Sequence, residues 1–276
     1  IPLSVGISSR LMNIGKQVNY GFDGSVRYSV IYKPEQRINW TLGIDFRHNE
    51  AYYDNIGDKL NQYNLENQSK SLSRFYDGGS PTALYAVRSE GIDPATGREI
   101  FLTAIGKRTF TYSYNDEVLV GDTNPDIEGT FNSSLYWKGF SFNFYLRYSW
   151  GADQFNSTLY NKVENISEEG LKVNQDKRAL YDRWQKPGDV AKFKGISLTE
   201  NTPMSSRFVQ KNNYLELESV RLSYEFNQKW MEKARIQGFI LSAYMNDICR
   251  FSTIEDERGI SYPFARSVSL SLTVNF

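Results

Sequence analysis

The chain has 276 residues with equal numbers of acidic and basic side chains, 32 of each. A neutral chain lacks the basic surplus that phosphate binding needs, which excludes a dedicated nucleic-acid binder. One Cys and one His provide no disulfide framework, Cys-based zinc site or His-rich metal centre, so we expect no metal and no cofactor.

Apolar and polar residues alternate along much of the chain, which is typical of strands with one buried and one wet face. In the clearest case, Phe142 and Phe144 alternate with Ser141 and Asn143. The chain already alternates at its first residues, so we expect it to be a piece of something longer. The pattern predicts eight strands, at about residues 3–10, 20–33, 37–48, 126–138, 139–151, 213–226, 235–246 and 264–276.

The length of these predicted strands favours a membrane barrel over a soluble sandwich. Strands of soluble domains cluster near about five or six residues, and these are about twice as long, as crossing a bilayer requires. We therefore expect an all-β fold, an antiparallel transmembrane β-barrel segment of eight long strands. Residues 83–87 and 99–103 would raise the count to ten if they add a pair.

Polar residues in mid-strand fit a water-filled barrel interior. Arg47, Asn143 and Arg147 are our candidates for lining a substrate path. Aromatic residues at strand ends predict the girdles that such barrels place at the membrane interfaces. The candidates for these girdles are Tyr32, Trp137, Phe140, Tyr148, Trp150, Phe226 and Phe276.

Connection lengths alternate along the chain and predict its orientation. Residues 34–36, 138–139 and 227–234 are short, whereas the other connections are long. Outer-membrane barrels have long extracellular loops and short periplasmic turns. The pattern therefore predicts an outer-membrane protein whose C-terminus is periplasmic. Within 213–226 the apolar phase changes near Glu218, which predicts either a β-bulge or the point where the strand leaves the membrane.

Signals for catalysis are weak, and we expect no enzyme. No nucleophile elbow, zinc-protease, dinucleotide or phosphate-loop motif occurs in the sequence. His48 lies at the end of a predicted strand, and Cys249 has no second Cys with which to pair. Acidic pairs such as Glu168 and Glu169 lie in charged loops, where a solvated surface is the usual role.

Four segments resemble the SusC/RagA family of TonB-dependent transporters. Residues 91–97 resemble its G-x-D-P-x-T-G turn, and residues 120–151 resemble the strand–hairpin–strand unit that follows. Residues 213–224 look like its Y-L-R-L-x-N-V-x-L-x-Y strand, and residues 262–276 look like its closing strand. The order and spacing agree with the family, although Glu216 stands where the family usually has Arg.

The resemblance implies that residues 1–276 are the C-terminal part of a barrel of about 22 strands. The plug and the TonB box would lie outside this chain. Such transporters import glycans or peptides, work with the TonB complex, and carry a SusD-like surface lipoprotein as a lid. Outer-membrane lipid would surround the barrel wall.

Two alternatives remain at this point. The first is a soluble all-β carbohydrate-binding or hydrolase domain. The second is a self-contained eight-stranded outer-membrane barrel, which is an allowed strand number. That barrel would be closed by pairing residues 3–10 with the last strand.

Overall fold

Seven long antiparallel strands form the main sheet of the protein. The computed structural model describes residues 13–197, 199–226, 236–255 and 266–275. Strand order in the sheet is β1-β2-β7-β8-β11-β12-β13, so every neighbour is also the next long strand along the chain. The strands are β1 (Lys16–Lys33), β2 (Ile38–Asp54), β7 (Ile127–Trp137), β8 (Phe140–Trp150), β11 (Tyr214–Phe226), β12 (Gly238–Ser252) and β13 (Val268–Asn275).

Two register rows show how the alternation builds two different faces. Residues directly opposite in neighbouring strands point to the same side of a sheet. One row joins Ile44, Phe131, Leu146, Leu217 and Cys249, and it is apolar from β2 to β12. This side is called the apolar face below.

The adjacent row belongs to the opposite side of the sheet. It joins Asp45, Thr130, Arg147, Glu216 and Arg250, and it is polar across the same five strands. This side is called the polar face below. The predicted all-β membrane-barrel architecture is confirmed by the long antiparallel strands with these two faces.

Within the described residues, two bulges shift the register of the main sheet. The predicted phase change in β11 is confirmed, because pairing with both neighbours shifts between Leu217 and Ser219. A second bulge in β1, between Ser29 and Ile31, was not predicted. It places Tyr32 opposite Asn39 on the polar face, so here the structure differs from the girdle position that the sequence pattern gave to Tyr32.

Strand ends differ from the predicted ends mainly where strands run beyond the expected membrane span. β2 continues to Asp54 and β12 continues to Ser252. The predicted strand at 3–10 and the predicted turn at 227–234 lie outside the described residues. Within the described residues, β1 and β13 are the two edges of the main sheet and do not pair with each other.

The two longest connections fold into small structures of their own. The first long loop, residues 55–126, holds β3 (Ala83–Ile92), β4 (Glu99–Leu102), β5 (Arg108–Thr109) and β6 (Glu117–Asp122) in a separate sheet ordered β5-β4-β3-β6. β3 and β4 pair as predicted. They do not join the main sheet, so this pair does not raise the number of barrel strands from eight to ten.

The second long loop, residues 151–213, is mostly irregular. It contains β9 (Asp153–Phe155) paired with β10 (Val209–Lys211), a π-helical segment Leu159–Glu164, and α2 (Arg178–Tyr181). The first long loop also carries α1 (Asn61–Asn67).

Much of the buried apolar core lies in the long loops. Among the described residues the main sheet is a single layer, and its apolar face has no second layer of them to pack against. In the second long loop Val163 and Phe208 are fully buried. They pack in a cluster with Leu159, Ile166, Ala179 and Phe193. None of the described helices is long and apolar enough to cross a membrane.

Candidate transport surface and loop body

The polar face of the main sheet is lined by cross-strand ion pairs. Oppositely charged residues on neighbouring strands stabilise a sheet and keep its charges compensated. The pairs are Arg27–Asp45 (2.9 Å), Arg47–Glu128, Arg147–Glu218 (2.6 Å) and, beside the short turns, Arg37–Glu225 (3.1 Å). Their side chains are half-exposed, so this face is suited to water and polar ligands rather than to lipid.

The three predicted path residues all lie on this polar face, in two groups. Arg47 and Arg147 line one depression of about 430 Å³, together with Thr130. Asn143 lines a second depression of about 590 Å³ that spans β8, β11, β12 and β13. The substrate-path role of these three residues remains a prediction.

The second depression also contains residues that the sequence reasoning missed. Tyr145, Arg221 and Tyr244 line it beside Asn143 and Asn246. Tyr145 could have been identified from the sequence, because its aromatic ring interrupts the series of polar residues on that face. Arg221 could not be assigned to this face without the register of β11, because the bulge at Leu217 shifts that register.

Two side chains of the apolar face satisfy their polar atoms by hydrogen bonds within the sheet, as a lipid environment favours. The Trp40 indole donates to Ser133 Oγ at 3.0 Å. The Tyr148 hydroxyl donates to the Asp45 carbonyl at 3.0 Å. Tyr148 crosses β7 at Gly129, where an added Cβ would overlap both the Tyr148 ring and the Asp45 carbonyl.

The predicted girdle residues differ in exposure. Trp137 and Trp150 are about half exposed on the apolar face, at opposite ends of the sheet. Phe140 and Phe226 are partly buried, and Tyr148 is buried in the Gly129 notch. Phe276 lies outside the described residues. Contact with a membrane interface remains a prediction for this set.

A buried charge cluster joins the two long loops. Arg207, beside β10, donates to Glu99 of β4 at 3.0 Å and to Glu164 at 2.8 Å. Ser205 donates to Glu99 as well, at 2.5 Å. Burial opposes the charged form of Arg207, but the hydrogen bonds and charges of Glu164 and Glu99 outweigh it and hold its pKa above the usual value. We call Glu99, Glu164 and Arg207 the clasp.

Arg183 also stabilises the second long loop, through backbone carbonyls. Its guanidinium donates to the carbonyls of Val163, Glu164 (3.0 Å), Ala179 (2.7 Å) and Lys194 (2.9 Å). Burial lowers its pKa, and the charge of Glu164 opposes that shift. This loop therefore has a polar framework as well as an apolar core.

The Asp93–Gly97 turn, part of the family-like motif, receives a tryptophan of the second loop. Trp184 Nε1 donates to the Pro94 carbonyl at 2.9 Å. Gly97 has φ +70°, and a Cβ there would come within 2.5 Å of the Trp184 ring. Glycine is required for both reasons. Thr96 donates to Asp93 at 2.5 Å, which lowers the pKa of that carboxyl.

The clasp and the Trp184 contact unite the two loops into one unit, called the loop body below. Both loops leave the main sheet at the same end. The first loop joins the end of β2 to the start of β7, and the second loop joins the end of β8 to the start of β11. The short connections, residues 34–36 and 138–139, lie at the other end. Among the described residues no group of three or more His, Cys, Asp or Glu is placed to hold a metal ion.

Solved structures with a similar fold indicate the class of protein, which is a membrane barrel. The chain aligns with a structure titled as the RagAB peptide transporter at a TM-score of 0.73 and 19% identity, covering 92% of this chain and 28% of that one. A second RagAB structure, in an open-open state, gives a TM-score of 0.75 and 18% identity over 100% of this chain and 30% of that one. The fold is that of an outer-membrane barrel segment.

Sequence relatives indicate which kind of membrane barrel the chain resembles. No family model matches the chain. It is 23% identical to TonB-dependent receptor P3 of Formosa agariphila, over 86% of this chain and 24% of that protein. It is 24% identical to TonB-dependent receptor SusC of Bacteroides thetaiotaomicron, over 100% of this chain and 28% of that protein.

The resemblance predicted from the four motifs is confirmed: the chain is similar, over most or all of its length, to part of SusC/RagA-like TonB-dependent transporters. It spans between 24% and 31% of the length of the curated relatives it matches. These relatives are named as receptors, and the RagAB structures as transporters or importers, so none of these names describes an enzyme.

Proposed function

We propose that this chain forms part of the wall and part of the outer loops of a TonB-dependent importer of large nutrients, either glycans or peptides. The chain would be the C-terminal part of the barrel, with its apolar face against outer-membrane lipid. Its polar face would border the path that the nutrient takes. No bond is broken in this process; the protein binds its cargo and admits it through a gated passage.

One observation carries this proposal: a wide single-layer sheet that is apolar on one face and ion-paired on the other. A soluble sandwich would bury the apolar face under a second sheet. Here Tyr28, Ile44, Leu222 and Leu270 of that face are exposed across the sheet. Lipid is the environment in which such a face is stable.

The loop body supports an extracellular role for the long-loop end. Long loops with their own core are unusual as simple tethers and commonly carry function. We propose that this end faces outward, that the C-terminus is periplasmic, and that a SusD-like lipoprotein docks on the loop body. Energy for import would reach the barrel through the TonB complex and a segment outside this chain.

The test uses the whole protein in its native membrane. Cells carrying or lacking its gene are fed candidate polysaccharides and peptide mixtures, and uptake is followed with and without a protonophore. We expect loss of one nutrient class on deletion and a similar loss with the protonophore. Growth and uptake that are unchanged on every glycan and peptide tried would contradict the import function.

Partner binding is tested by purification. The whole protein, tagged and extracted in mild detergent, should co-purify with a surface lipoprotein of its own organism. Replacing strongly exposed residues of the loop body, such as Ile105 and Tyr181, should reduce that recovery. Recovery of the protein without any co-purifying lipoprotein would contradict the proposal that a lipoprotein docks on it as a lid.

A further inference from the structure

Strands β1 and β2 extend past the other described strands of the main sheet at the long-loop end. β7 and β8 stop on this side at the pair Ile127–Trp150. β2 passes the same level at His48 and continues, and its residues 48–54 pair there with residues 16–22 of β1. These two paired segments are called the ribbon below.

The ribbon is long enough to pass through a layer of lipid headgroups. From His48 it continues for six residues, to Asp54. This distance is about 20 Å along an antiparallel strand, or about 15 Å of height at the tilt of such barrels. The headgroup layer on each side of a bilayer is only about 5–8 Å thick. With Trp150 at the membrane interface, as predicted, the far end of the ribbon stands above the headgroups of phospholipids.

One side of the ribbon continues the apolar face of the main sheet but carries different groups. Tyr20, Phe22 and Tyr52 lie on this side and are 52%, 60% and 38% exposed. The rings of Tyr20 and Tyr52 meet edge to face, with centroids 6.3 Å apart. The Tyr20 hydroxyl donates to the Glu50 carboxylate, which also lies 3.4 Å from His48 Nε2. Exposed rings and hydrogen-bonding groups are therefore side by side on this surface.

The opposite side of the ribbon is fixed to the first long loop. The Tyr53 amide donates to the Gly79 carbonyl at 2.9 Å, and the Gly78 amide donates to the Tyr53 carbonyl at 2.8 Å. The Tyr53 ring packs edge to face against Phe75 at 5.7 Å. The ribbon thus has one side held by the loop body and one side turned to the surroundings of the barrel.

We propose that the exposed side of the ribbon binds the sugar headgroups of glycolipids in the outer leaflet of the membrane. A tyrosine ring has a flat apolar surface and a polar edge, and a sugar ring likewise has CH groups on its faces and hydroxyls at its rim. Tyr20 and Tyr52 would pack against sugar rings, and the Glu50 carboxylate would accept hydrogen bonds from sugar hydroxyls. The inference goes beyond the import function and takes from it only the outward orientation of this end.

Position and charge favour sugars over the other parts of a lipid. The ribbon continues the lipid-facing side of the wall, so the lipids beside the barrel hold their headgroups next to it. Hydrocarbon does not suit this surface, because the Glu50 carboxylate would lose its hydration there. A phosphate does not suit it either, because Glu50 is negative and Lys16 lies opposite Asp54 at the far end.

Hydroxyl-radical footprinting of the whole wild-type protein measures the contact, because the oxidation rate of a side chain follows its access to water. The protein is compared in detergent and in nanodiscs of phospholipid alone, phospholipid with lipid A, and phospholipid with lipopolysaccharide, which is lipid A carrying its sugars. Tyr63 is the matched control, since it is 50% exposed in the first long loop and packs against Phe75. The lipids are in both leaflets of a disc, so the result does not depend on the orientation in the cell.

We expect lipopolysaccharide to slow the oxidation of Tyr20 and Tyr52 by about twofold or more relative to lipid A, as covering one face of each ring allows. Tyr63 should be oxidised at the same rate in both discs. Equal rates for Tyr20 and Tyr52 with lipid A and lipopolysaccharide would overturn the inference. Protection by lipid A alone would assign the contact to phosphate, and equal protection in all three discs would assign it to a second copy of the chain; either result would also overturn it.

Variants test whether the rings carry the binding. The amount of lipopolysaccharide retained after a detergent wash, relative to lipid A, should fall in the double variant Tyr20→Ala, Tyr52→Ala. The double variant Tyr20→Phe, Tyr52→Phe keeps both rings and should retain most of it, and Tyr63→Ala should retain all of it. Unchanged retention in the double alanine variant would contradict the role of the rings.

Nutrient uptake separates this inference from the import function. The exposed side of the ribbon does not border the proposed path, so cells with the double alanine variant should import at the wild-type rate. Absence of the lipopolysaccharide effect in a protein that still imports would refute the glycolipid contact alone. Absence of import on every nutrient, with the effect present in discs, would refute the import function alone.

Discussion

Phe144 lies near the middle of β8 on the apolar face, opposite Ser133 and Val220. Replacing it with Arg should destabilise the folded barrel by about 2–4 kcal/mol, because a charge near the bilayer midplane loses its hydration. Heat- or urea-induced unfolding of the whole protein in lipid vesicles measures this change.

Ser141→Arg is the matched control for Phe144→Arg. Ser141 is on the same strand but on the polar face, between Tyr136 and Ser223. An arginine there should remain hydrated and change stability by less than about 1 kcal/mol. Equal losses for the two variants would show that the faces are assigned incorrectly.

At the scale of elements, the clasp holds β4 of the first long loop against the end of the second. Arg207→Met would leave the buried carboxylates of Glu99 and Glu164 without their shared partner. Breaking a buried ion pair in this way costs about 3–5 kcal/mol. Hydrogen exchange should therefore become faster in β4 and in residues 205–211 while the main sheet stays protected.

Arg147→Met provides the comparison at an exposed ion pair. Its partner Glu218 stays hydrated, so the loss should be at most about 1 kcal/mol. If Arg207→Met leaves the exchange of β4 as slow as in wild type, the clasp does not hold the loops together.

The strands could be predicted from the sequence, and the loop contacts could not, for a physical reason. Side-chain alternation is a local property, so Phe142, Asn143 and Phe144 identify both faces without knowledge of the neighbours. The clasp has no such period, because Glu99 and Arg207 are 108 residues apart. Its members appear in the sequence as ordinary charges in solvated loops.

The register of the strands could be predicted only in part. The change of phase in β11 is visible in the sequence because apolar residues occupy first odd and then even positions. In β1 the apolar residues Val30, Ile31 and Tyr32 are consecutive, so the alternation cannot show which residue the bulge leaves unpaired. Arg221 and Tyr32 were therefore placed only by the cross-strand pairing.

At the scale of the whole molecule, the proposed orientation places the loop body outside the cell. An epitope tag inserted after Gly106, beside the 90% exposed Ile105, should bind antibody on intact cells. The same tag inserted between Lys138 and Gly139 should bind only after the outer membrane is opened. Labelling of the second position on intact cells would invert the topology.

The central claim, that the apolar face of the main sheet touches lipid and the polar face does not, is tested most directly by fluorescence along β8. Single cysteines at residues 141 to 146 of the whole protein, with Cys249→Ser, carry a small fluorophore in vesicles that contain nitroxide-labelled lipid. Labels at Phe142, Phe144 and Leu146 should be quenched strongly, and labels at Ser141, Asn143 and Tyr145 weakly, because only the apolar face touches lipid. Uniform quenching along the strand, or quenching in the opposite phase, would contradict a barrel wall with its apolar face in the membrane.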